Sequence, residues 1–193
     1  MAYRIYITGA AGSGTSCLGA GLATHLGVAH LDTDDFYWAQ SPMPYTEKRP
    51  VPLRCALIDQ AQHEAMGYGG WVLSGSADGW GDSVIRDADL IVFMRAPTPL
   101  RLMRIRRREA AKFGSRIESG GDMELNHRKF LKWAASYDEP YFGGRSLTRH
   151  LEWLSGQDTP VLELSGTRPL SELIDHSLFA LRGGAAEQGQ KAG

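Results

Sequence analysis

Eight residues near the amino terminus, Gly9-Ala10-Ala11-Gly12-Ser13-Gly14-Thr15-Ser16, carry the spacing GxxxxG followed by two hydroxyl side chains. Glycines so spaced let successive backbone N–H groups converge on an anion, and a helix starting inside the run adds positive partial charge. The chemistry implied is the cradling of phosphate oxygens, with Ser16 placed to ligate Mg2+. An ordinary glycine-rich turn before a helix is the plainer alternative. At the seventh position, where a lysine ordinarily meets the β- and γ-phosphates, stands Thr15. A charge-assisted hydrogen bond contributes about 1.5–3 kcal/mol, or about 10- to 150-fold in affinity or rate, so another cation has to replace the lysine.

Two further groups suit the same chemistry. Leu31-Asp32-Thr33-Asp34-Asp35 is followed by Phe36-Tyr37-Trp38. Asp32 and Asp34 are candidate Mg2+ partners with Ser16, and Asp34 or Asp35 is a candidate base for an acceptor hydroxyl. A solvated acidic turn with a helix cap is the alternative for these carboxylates, and core or flap packing for the aromatic trio. The run Arg101-Leu-Met-Arg104-Ile-Arg106-Arg107-Arg108 puts five arginines in eight positions, with Arg101, Arg104 and Arg108 on one helical face. Such a face is either solvated or neutralised by bound phosphate. Arg116, Arg145 and Arg149 are possible additions, and Asp78 and Asp82 are weaker metal candidates. Ser74 ends the third apolar run, where phosphate-loop proteins often place a magnesium-binding Asp.

The elements that position these groups follow from periodicity. Tyr3 to Thr8, Val28 to Leu31, Trp71 to Ser74, Leu90 to Met94 and Val161 to Leu164 are short apolar runs that read as buried strands. Helical segments between them predict an α/β fold with a mostly parallel, doubly wound sheet, whose carboxyl edge binds ligands. The first helix is expected from about Ser13 to His25, with Leu18, Leu22 and Leu26 facing the sheet and Gly27 closing it. Others are expected near Pro52 to Met66, Pro97 to Lys112 and Met123 to Tyr137. The division expected is one domain over 1–182, a substrate flap over about 36–69, a lid over about 109–144, and a flexible tail over 183–193.

Composition bounds the remainder. With 193 residues, 42% of them hydrophobic, the chain suits one α/β core. Lys plus Arg number 21 against 22 Asp plus Glu, so no global field attracts nucleic acid or an anionic membrane. No basic stripe is interleaved with stacking aromatics either. Two cysteines and six scattered histidines make neither a disulfide framework nor zinc spacing. The opening segment lacks the apolar run of a signal peptide, and a cytoplasmic monomer or homodimer is expected.

Over about residues 3 to 180 the chain resembles the P-loop nucleoside and nucleotide kinases, the adenylate-kinase-like group, with a lysine-less loop. The resemblance implies a three-layer αβα P-loop NTPase fold with a five-stranded parallel sheet and lid insertions. It also implies use of ATP and Mg2+. In adenylate kinases a proline after strand four is followed seven and eleven residues later by arginines at the ATP base and phosphates. Pro97, Arg104 and Arg108 repeat that spacing. Arg149 is similar to a lid-side arginine of the family, and Ser165-Gly-Thr-Arg168 sits where the family holds adenine. The Asp-Thr-Asp-Asp-Phe-Tyr run is instead similar to shikimate, gluconate and uridine kinases, where an Asp serves the metal or the acceptor hydroxyl. These marks imply a kinase acting on a small-molecule acceptor, a nucleotide or nucleoside first and a non-nucleotide hydroxyl compound second. Gly9 to Ser16, Arg104 and Arg149 would hold ATP, Ser16, Asp32 and Asp34 would serve Mg2+, and Asp34, Asp35, Arg104, Arg108 and Arg116 would act in transfer. A nucleotide-binding sensor without catalysis is the competing expectation, carried by Thr15 and Ser74.

Overall fold

Side chains alternate across strand β1 (Tyr3–Gly9), Ile5 and Ile7 to one face and Tyr6 to the other, and both faces are covered. The computed structural model describes residues 2–190. After β1 come α1 (Thr15–Leu26), β2 (Ala29–Asp32), α2 (Thr33–Tyr37), α3 (Val51–Met66), β3 (Gly70–Ser74), α4 (Asp82–Ile85), β4 (Leu90–Arg95) and α5 (Thr98–Phe113). Then follow α6 (Glu124–Ala135), α7 (Leu147–Ser155), β5 (Val161–Ser165) and α8 (Leu170–Gln190), with 3₁₀ turns at Gly114–Ile117 and Ser136–Asp138. The five strands form one parallel sheet in the order β2-β3-β1-β4-β5. Every strand lies within about a residue of its predicted run; in β1, β3 and β4 this is because apolar stretches buried on both faces have no other stable place.

Two apolar layers sandwich the sheet. Ile5, Ile7, Val92 and Met94 pack with Leu18 and Leu22 of α1 and Leu173 of α8. On the other face Tyr6, Leu73, Ile91 and Phe93 pack with Ile58 of α3 and Leu154 of α7. Gly27 ends α1 in a left-handed conformation, φ 68°, as its position predicted. No helix of the described residues is long and apolar enough to cross a membrane. The tail expected from residue 183 is not irregular at first: its backbone continues α8 to Gln190, and residues 191–193 lie outside the described residues.

The segments expected as flap and lid make identifiable contacts. The flap folds back on itself through an antiparallel bridge between Trp38 and Lys48. Its aromatic residues pack among themselves: Tyr37 lies edge-on to Trp38 and Trp80, with the Arg54 guanidinium 3.8 Å above its ring. On the lid side Glu109 accepts from His127 at 2.8 Å and pins α5 to α6.

Candidate active site

The loop between β1 and α1 is shaped by glycines that nothing else replaces. Gly12, at φ 80°, passes so close to α5 that a Cβ would meet the Arg101 carbonyl at 2.6 Å. Gly14, at φ 109°, turns the chain into α1. Within the loop the Ser13 hydroxyl is buried without a hydrogen-bond partner, a polar group turned away from solvent and unmatched by protein.

Across from the loop stands the end of β2. Ser16 Oγ donates to Asp32 Oδ2 at 2.7 Å, and Asp32 Oδ1 accepts from the Asp34 amide at 3.0 Å, capping α2. Among the described residues no cluster of three or more His, Cys, Asp or Glu stands ready for a metal. One hydroxyl and one carboxylate nevertheless suit Mg2+, which keeps several waters and takes one or two protein oxygens plus substrate phosphates. Asp34 is exposed on α2, yet surrounding protein desolvates its carboxyl, and with the nearby Asp32 charge this raises its pKa above the ordinary value. A hydrogen bond with Trp38 and the charges of Arg108 and Arg145 pull the other way. Asp35 is exposed on α2 and is not brought into this group; only its backbone carbonyl is used, by Arg49 at 2.8 Å.

Ser74 is not vacant metal-binding space. His30 Nε2 lies 2.9 Å from its Oγ beneath α1, and the serine is fully buried. Asp82 is likewise structural, accepting from Trp153 Nε1 at 2.9 Å and the Gly79 amide at 3.1 Å. Asp78 lies under the loop, with Oδ1 3.3 Å from Thr8 Oγ1 and Oδ2 3.1 Å from His150 Nε2. Burial opposes its ionisation, but His150 and the Arg145 charge outweigh burial and hold it well below the usual carboxylate range.

The arginines of α5 divide sharply. Arg101 is fully buried; it donates to Ala96, Ala134 and Thr98 and pairs with Asp138 at 2.8 Å, tying α5 to the end of the lid. Its place on the phosphate-facing stripe is therefore corrected: the helix face carrying it turns inward. Arg104 reaches the carbonyls of Ser13 at 3.3 Å and Gly166 at 2.8 Å, linking the loop to the turn after β5. Around it Gly14, Cys17, Leu18, Gly166 and Arg168 line a cavity of about 280 Å³. Arg108 is exposed, 3.6 Å from Glu109.

Two expected site arginines are placed elsewhere. Arg116 is held by Asp122 at 2.7 Å inside the lid turn, because the 3₁₀ geometry of Gly114–Ile117 folds it onto the following loop. Arg149 is exposed and turns back to the Gly144 carbonyl at 3.4 Å, since α7 directs its neighbour His150 inward instead. Near the start of α7 it is Arg145 that reaches the loop, donating to the Gly9 carbonyl. Its signal in the sequence was faint: a glycine pair ahead of it and the helix cap Ser146 behind it.

A five-stranded parallel sheet in this order is like that of P-loop kinases. A gluconokinase from Sinorhizobium meliloti 1021 shares the fold with a TM-score of 0.56 at 14% identity, over 99% of this chain and 98% of that one. A cytidylate kinase of Pyrococcus horikoshii is 28% identical over 134 residues, 65% of this chain and 67% of its own. No family model matches the chain. The uncharacterized protein YqaC of Bacillus subtilis (strain 168) is 37% identical over 180 residues, 92% of this chain and 97% of YqaC. The chain belongs to the same family as YqaC.

Proposed function

We propose that this protein is a Mg2+- and ATP-dependent kinase that moves the γ-phosphoryl group to a hydroxyl of a small acceptor, a nucleoside or a polyol. The observation that carries the reading is the Ser16–Asp32 pair, which sets a hydroxyl and a carboxylate together at the mouth of the glycine-rich loop. The loop amides would hold the phosphate chain, and Arg104 would close the nucleoside side beside the cavity it lines. Bound Mg2+ would neutralise charge on the β- and γ-phosphates. The acceptor oxygen forms its bond to Pγ as the bond from Pγ to the bridging oxygen breaks, ADP leaves, and the acceptor proton passes to Asp34. A raised pKa suits Asp34 for that proton, and the charge of Arg108 favours its ionised form.

A nucleotide acceptor is the second reading, supported by the likeness to cytidylate kinase. Attack by a phosphate oxygen needs no base, so the two readings separate on Asp34. ADP formation is measured with nucleoside, polyol and nucleoside monophosphate acceptors, using wild type and Asp34→Asn. A hydroxyl acceptor is expected to lose about 10²–10⁴ in turnover on the substitution. Equal rates for both proteins would transfer the assignment to a phosphate acceptor. ATP binding with no ADP from any acceptor would leave a sensor rather than an enzyme.

A further inference from the structure

We propose that Arg145 supplies the positive charge that the loop lacks at Thr15; the proposal rests on the kinase reading. Four of the other candidates are spent on different tasks, and Arg108 stands exposed on α5 beside Glu109. Arg101 is buried and fully bonded, Arg104 braces the outer side of the loop, Arg116 is paired with Asp122, and Arg149 turns to Gly144. Arg145 instead reaches the opening of the loop. Its guanidinium donates to the carbonyl of Gly9, the first loop residue, and its charge is felt by Asp34 on one side and Asp78 on the other.

What remains unmatched on this side chain points to an anion. Its Nε is buried and has no hydrogen-bond partner. Among the described residues no carboxylate lies within 4.0 Å of its guanidinium. A buried charged donor left unsatisfied costs more than the ordinary bond contributes, so a side chain kept in this state is matched by something absent from the protein itself. A phosphate oxygen seated in the adjoining loop has the charge and the acceptor geometry that a guanidinium takes best.

Fixed elements deliver it. Ser146 caps α7, accepting from the Arg149 amide, which sets Arg145 just ahead of the helix at the carboxyl edge of the sheet. One turn on, His150 is buried between Asp78 and the Tyr137 hydroxyl, and Leu154 anchors the far end in the core. The cation is thus carried by a packed helix, whereas a loop lysine would be carried by the first turn of α1.

Binding of ATP with Mg2+ and of AMP is measured by calorimetry on the full chain, for wild type, Arg145→Gln, Arg145→Ala, Thr15→Lys and Thr15→Lys/Arg145→Gln, each checked for folding by circular dichroism. Arg145→Gln keeps a donor for the Gly9 carbonyl without the charge. It is expected to weaken ATP binding about 10- to 150-fold while leaving AMP unchanged. Thr15→Lys in that background is expected to return most of the loss, which a merely structural arginine would not allow. Folded Arg145→Gln and Arg145→Ala proteins that bind ATP like wild type, or a double variant as weak as Arg145→Gln, would overturn the role of Arg145 and spare the kinase reading. A wild-type protein that binds no triphosphate would overturn both.

Discussion

The carboxylate of Asp32 faces two ways: one oxygen accepts from Ser16 Oγ at 2.7 Å, and the other caps α2 through the Asp34 amide at 3.0 Å. The two roles separate by substitution. Asn caps a helix about as well as Asp, so Asp32→Asn is expected to hold its melting temperature, whereas Asp32→Ala loses about 1 kcal/mol. Both are expected to raise the Mg2+ concentration needed for half-maximal rate. Thermal melts beside rate measurements across Mg2+ concentrations check this; an unchanged Mg2+ requirement in Asp32→Asn would remove Asp32 from the metal site.

Arg101 and Arg104, one helical turn apart, are expected to fail differently. Arg101 is a buried charge with every neighbour committed to it, and Arg101→Ala should cost about 3–5 kcal/mol of stability by stripping that network. Arg104→Ala should unfold near the wild-type denaturant midpoint but raise the KM for ATP by about 10-fold or more, the loss of one charge-assisted contact. Denaturant unfolding together with steady-state kinetics distinguishes them.

The proton-accepting role of Asp34 has a pH signature. Its carboxyl is raised by desolvation and by Asp32, so the ascending limb of kcat/KM should lie above the ordinary aspartate value of about 3.9. Arg108 and Arg145 favour the charged form, so removing either should move that limb to higher pH. A limb that stays in place in Arg108→Ala would show that the titrating group is not Asp34.

Asp78 is the acid-sensitive point beneath the loop. Its folded pKa lies below its unfolded one, so it adds stability above about pH 4 that is lost as pH falls toward the folded value. Asp78→Asn removes the carboxylate that meets His150 Nε2 and Thr8 Oγ1 and should cost about 1–3 kcal/mol at neutral pH. Its melting temperature should then fall less than that of wild type between about pH 5 and pH 3. Parallel slopes in thermal melts over that window would contradict the assignment.

What the sequence made legible was whatever depends on local order. Tyr3 to Thr8 and Leu90 to Met94 read as strands because both faces of each are apolar, and the glycine spacing located the turn that packs against Arg101. Partners distant in sequence were not legible. Whether Arg101 or Arg104 faced the loop depended on the lid, where Ala134 and Asp138 receive Arg101. The exchange of Arg149 for Arg145 came from one helix start: Ser146 fixes which residue precedes α7, and His150 fixes its inward face. Ser74 read as a missing metal ligand because nothing in the spacing pairs it with His30 on the neighbouring strand.

On the kinase reading, a loop without its lysine holds ATP and Mg2+ together. Calorimetric titration of the full chain with ATP, with and without Mg2+, tests it on wild type and Ser16→Ala. The expected result is a Kd below about 1 mM, about 4 kcal/mol, that tightens with Mg2+ in wild type and is indifferent to Mg2+ in Ser16→Ala. No binding of ATP or GTP by the folded wild-type protein would contradict the account.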